Sequence, residues 1–161
     1  MAVARLVLQG LARDEPLDDV LRKLRRFADY TFPFPGYVLT EIAAAALQIA
    51  GATPATPLSL SDASERHLPE WTISGNTARQ KHRAAIQAAV ALHAGIIVDY
   101  EEVAGWWQLQ DYTLHAFEAA VVLIRVAAAH TQRPAGSICE EIAARRGASF
   151  DDGRARDNRL P

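Results

Sequence analysis

Residues 117–129 are apolar at every position but two, Glu118 and Arg125. A surface helix is apolar along one stripe only, so a helix with this composition needs neighbours on about three sides. That requirement fixes the architecture: a central helix from about Asp111 to His130, wrapped by others. The rest of the sequence supplies suitable partners. Leu17, Val20, Leu21, Leu24, Phe27 and Ala28 recur at helical spacing. In the same segment Asp18 and Asp19 precede Arg22, Lys23, Arg25 and Arg26, acid first and base last, which complements the helix dipole.

Other segments follow the same logic. Residues 2–13 form a first helix with Val3, Val7 and Leu11 on one face, weakened by Gly10; an extended arm is the alternative. The run Phe32-Pro33-Phe34-Pro35-Gly36 breaks the second helix, and a third extends from about Tyr37 to Ala50, stopped by Gly51. Ser61 caps a short helix ending near Pro69. Asn76 caps a long helix from about Thr77 to Ala94. Asp99 with Glu102 resembles a capping box before Trp106 and Trp107. Pro134 starts a last helix with Ile138, Cys139 and Ile142 inward and Gly147 at its end. No segment sustains the alternation of a strand, and no repeat of fixed period is present. The expected fold is a single-domain all-α bundle of six to eight helices over 1–147, followed by a flexible tail over 148–161 that lacks apolar periodicity.

Composition narrows the functional classes. The formal charge is −2, which gives no global field for nucleic acid. Ala fills 31 positions, and Arg outnumbers Lys 15 to 2, the bias of a GC-rich bacterial genome. One cysteine, Cys139, excludes an intramolecular disulfide and any Cys-based metal cluster. The start of the chain lacks a signal-peptide pattern, and the most apolar stretch, Ala119 to Ala129, is eleven residues long. A bilayer span needs about 20. These features predict a cytoplasmic protein without a membrane partner.

Three constellations could carry function. The first is a line along the central helix: Gln108, Asp111, His115, Glu118, Val122, Arg125, Ala129 and Gln132. It is either the helix's solvent-facing edge or the floor of a polar groove where His115, Glu118 and Arg125 could do acid–base work. Helical di-iron sites use Glu-x-x-His twice; that pattern is absent, so neither metal nor cofactor is expected. The second is Ser74–Arg83, a polar loop opening a helix, where Asn76, Arg79, Lys81 and Arg83 could hold an anion or a nucleic-acid backbone. Arg22 and Arg26 could extend that surface, or simply form a solvated face. The third is the indole set Trp71, Trp106 and Trp107, suited to a partner subunit because Trp is enriched at interface hot spots.

The run from Arg125 to His130 resembles the Arg-x4–6-His pattern of HEPN ribonucleases, compact helical bundles that act as dimers. The resemblance implies metal-independent RNA cleavage with both side chains in one cleft. The polar residue usual after the Arg is Val126 here. Five residues on a straight helix turn about 140°, so the pair converges only where the helix ends between them. The leading expectation is a non-catalytic helical interaction module that self-associates. The alternatives are an anion- or nucleic-acid-binding protein built on 74–83, and the HEPN-like ribonuclease.

Overall fold

The computed structural model describes residues 2–31, 34–51, 87, 89–90 and 112–146. Among the described residues there are five long helices and no strand: α1 (Ala2–Ala12), α2 (Leu17–Thr31), α3 (Phe34–Ile49), α4 (Tyr112–Thr131) and α5 (Ala135–Arg145). The expected helix capped by Asn76 is represented only by helical residues at 87, 89 and 90. The expected short helices after Ser61 and around Trp106, and the tail over 148–161, lie outside the described residues.

The central helix is α4, as its composition requires. Every residue from His115 to Ala127 is buried except Arg125, which is half-buried. Its main partner is α3, with further packing on α5 and α2, while α1 lies against α5, α2 and α3. The small residues of α3 explain the pairing. Ala43 and Ala46 are fully buried beside Leu39, Ile42 and Leu47, so the α3 backbone can approach α4 closely while the larger side chains fill the gaps. Leu114–Thr131 also satisfies the length and hydropathy of a membrane-crossing helix (18 residues, mean hydropathy 1.3), longer than the eleven-residue run suggested. Two-thirds of that stretch is buried inside the bundle, so its apolar surface already has a partner.

One boundary differs from the sequence expectation, and one glycine is explained by packing. Helix α3 begins at Phe34 rather than Tyr37. Pro35 and Gly36 sit in its first turn, where a missing N–H costs nothing. Gly36 is buried, and its carbonyl accepts a hydrogen bond from the buried Thr40 hydroxyl at 2.8 Å. The glycine is Gly10, and α1 runs through it as expected. A Cβ there would lie 2.8 Å from Cγ2 of Val20, so glycine lets α1 and α2 cross closely, and packing outweighs its poor helix propensity. The start of α5 follows Pro134, which adopts an extended conformation as the N-cap residue.

Three helices end in a left-handed residue. Gly51 (φ 72) closes α3, donating its N–H to the Gln48 carbonyl at 3.1 Å. After α1, the Glu15 N–H donates to the Gly10 carbonyl at 3.0 Å and the Asp14 N–H to the Leu11 carbonyl at 3.3 Å, a Schellman turn with Asp14 at φ 52. After α4, the Arg133 N–H donates to the Ala128 carbonyl at 3.0 Å, with Gln132 at φ 55. Side chains resist this conformation and glycine does not. Asp14→Gly and Gln132→Gly are therefore expected to raise the unfolding free energy by about 0.5–1 kcal/mol each in urea titrations. A loss of stability in either variant would mean that the side chain makes a compensating interaction.

Candidate functional site

Apart from the Cys139 thiol, two ionisable side chains are buried among the described residues, and both are on α4. Glu118 is 1% exposed and His115 7%. They are one turn apart, and Nδ1 of His115 lies 3.6 Å from Oε1 of Glu118. That separation is too long for a hydrogen bond. His115 Nδ1 has no hydrogen-bond partner among the described residues. The stretch of the polar line from His115 to Val122 is thus not a solvent edge. His115, Glu118 and Val122 are buried, while Ala129 and Gln132 at the other end are exposed. Gln108 and Asp111 lie outside the described residues. Among the described residues no three His, Cys, Asp or Glu side chains gather as a metal site would need.

Arg125 occupies the transition between these two stretches and lines a cleft of about 150 Å³. Two more charged residues line it, Asp14 and Glu15 from the α1–α2 turn. Its apolar walls come from Leu11, Leu17, Val121, Ile124 and Ala135. Four elements therefore build it: the end of α1, the start of α2, the middle of α4 and the start of α5. Glu15 is held by Lys23, whose Nζ donates to Oε2 at 3.0 Å. The α5 wall is fixed by Arg133, which donates to Ser137 Oγ at 2.9 Å and to Glu141 Oε1 at 2.9 Å. At its other end, α5 is tied to α3 by the ion pair of Arg146 with Glu41.

The sequence leaves Arg125 on either a solvent-facing edge or a groove floor and does not identify Asp14 and Glu15 as its neighbours. The signal was the tight Arg13-Asp14-Glu15-Pro16 corner between two amphipathic helices. A corner of that length turns the chain sharply and sets its charged residues against whatever packs beside it. His130 does not line the cleft. Because α4 runs unbroken to Thr131, Arg125 and His130 lie about 140° apart, with His130 exposed.

The other candidate residues divide by position. Arg22 and Arg26 are exposed on α2, together with Lys23 and Arg25, and Arg22 pairs with Asp19 at 3.2 Å. Val20 and Leu24 on the opposite side are fully buried, so this basic face belongs to an anchored helix. Asn76, Arg79, Lys81, Arg83, Trp71, Trp106 and Trp107 lie outside the described residues.

Cys139 is fully buried with Ile138 and Ile142, as the α5 pattern predicts. Burial pushes its thiol up from 9.0 to about 12, reinforced by Glu140 and Asp14 and opposed by a backbone hydrogen bond. Such a thiol is a poor nucleophile. A thiol-reactive disulfide reagent at about pH 8 is expected to label Cys139 only after denaturation. The same shift has an alkaline consequence. Above pH 9 the unfolded thiol ionises while the folded thiol keeps its proton. The stability this contributes is intact below that pH and falls by about 1.4 kcal/mol per unit as pH rises toward 12. Urea midpoints at about pH 8 and pH 10 should therefore drop less in Cys139→Ala than in the parent chain. Equal drops would show that the thiol does not hold its proton.

Comparisons with protein families, curated proteins and solved structures found no match to this chain.

Proposed function

We propose that the chain is a non-catalytic helical interaction module of the cytoplasm that associates with a second copy of itself. The observation that carries this reading is the basic face of α2. Arg22, Lys23, Arg25 and Arg26 are all exposed within five residues, on a helix anchored by Val20 and Leu24. A rigid, charged surface of this kind selects partners and speeds their encounter more than it adds raw affinity. The same sequence carries the complement in Glu101-Glu102 and Asp151-Asp152, so two copies can supply both signs. In this reading the segment 52–111 adds further helices, making six to eight in all, and Trp71, Trp106 and Trp107 contribute apolar anchors.

Sedimentation equilibrium of the full chain tests it. Self-association should weaken with added salt, because exposed charges are screened beyond about 10 Å at 0.1 M. The double variant Arg22→Glu/Arg26→Glu should sediment as a monomer with unchanged helicity. A parent chain that stays monomeric at the highest attainable concentration would sink the proposal.

The same exposed cations favour a second reading, in which Arg22 and Arg26 join Asn76, Arg79, Lys81 and Arg83 in binding a nucleic-acid backbone. Binding to phosphates falls steeply with salt as counterions are released. A gel shift of single-stranded RNA at low salt that disappears near physiological salt would support it. The absence of any shift at low salt would remove it.

A further inference from the structure

The geometry points to the Arg125 cleft as a binding site for a small aliphatic α-amino acid. Three properties of the cleft set that chemistry. The first is charge of both signs. Asp14 and Glu15 line it together with Arg125. A purely anionic ligand drawn to Arg125 meets two carboxylates, and a purely cationic ligand drawn to the carboxylates meets the guanidinium. A zwitterion suits both, with its carboxylate toward Arg125 and its ammonium toward Asp14, since Glu15 is already held by Lys23.

The second property is the apolar lining. Leu17 comes from α2 and Ile124 from α4, so a ligand held by its charged groups would bury an aliphatic side chain against both helices. The third is size. A volume of about 150 Å³ matches a cavity that holds one benzene ring. It admits roughly six to nine non-hydrogen atoms. Valine and leucine fall in that range, whereas nucleotides and folded peptide segments do not. Asp14 adds a supporting detail. It occupies a left-handed position where glycine would be the easier residue, yet a carboxylate stands there and lines the cleft.

Isothermal titration of the full chain with L-leucine and L-valine tests the assignment, alongside two truncated ligands. Isopentylamine lacks the carboxylate, and 4-methylpentanoate lacks the amine. The amino acids should bind, and each truncated ligand should bind about tenfold more weakly or worse, the loss of one charge-assisted contact. Arg125→Met should abolish the preference for leucine over isopentylamine. Ala135→Phe should block binding by filling the cleft. Asp14→Gly gives the sharpest readout, because it should raise stability while weakening leucine binding; a purely structural role for Asp14 would leave affinity unchanged. Because Asp14 lies on an exposed turn, that variant folds even if Arg125→Met does not. The assignment fails if neither amino acid binds at millimolar concentration, if the truncated ligands bind equally well, or if Asp14→Gly retains full affinity. Self-association is read separately by sedimentation, so failure of one proposal is distinguishable from failure of the other.

Discussion

Phe117→Ala is expected to lower the unfolding free energy by about 3–5 kcal/mol, the cost typical of removing a fully buried aromatic ring. Phe117 is fully buried and heads the largest enclosed side chains. Its helix is covered by α3, α5 and α2, so no neighbour can collapse into the space without moving its own contacts. The loss combines the transfer free energy of the ring with the cavity left behind. Small domains are stable by only about 5–15 kcal/mol, so the variant should be partly unfolded in mild denaturant. Urea titration checks this, and the midpoint should fall without a change in slope. A loss below about 1 kcal/mol would mean that Phe117 is not enclosed.

Glu118→Ala is the second large effect, expected to cost about 3–5 kcal/mol. Deleting one member of a buried polar pair leaves the other facing a void, and here His115 Nδ1 already lacks a hydrogen bond among the described residues. Replacing both side chains should be much milder than summing the single losses. Burying a carboxylate and an imidazole is itself costly, and an apolar pair of similar volume avoids that cost. The double-mutant cycle of Glu118→Leu and His115→Leu should thus show a coupling of about 1–3 kcal/mol. Glu140→Ala serves as the control. Glu140 is exposed on α5, and its loss should change stability by no more than about 0.5 kcal/mol. If Glu118→Ala behaves like this control, the carboxylate is solvated and the polar line is a surface after all.

Periodicity made much of the helical frame legible, because apolar spacing is a local property of the chain. The buried set Ile138, Cys139 and Ile142, the stop at Gly51 and the extent of α4 all follow from it. What periodicity does not carry is what lies over a face. The line from His115 to Gln132 is one stripe in sequence, yet its first half is covered and its second half is open. That division depends on what packs over each turn of α4, which no single helix records. The start of α3 was misjudged for a related reason. Phe34-Pro35-Gly36 reads as a breaker alone, but at a helix entrance the same residues are tolerated. The cleft was least legible of all. Arg125 and Asp14 are more than a hundred residues apart, and only the packing of α2 and α5 on α4, with α1 against both, brings them to one place.

That packing gives Gly10 a role at a distance. Its missing side chain sets how closely α1 approaches α2 at Val20, and the same crossing leads into the turn bearing Asp14 and Glu15. A methyl group at position 10 would act as a wedge at the base of a short lever. The helices would part, and the two carboxylates would swing relative to an arginine on α4 that the methyl never touches. The width of the cleft is in effect gauged by a hydrogen atom.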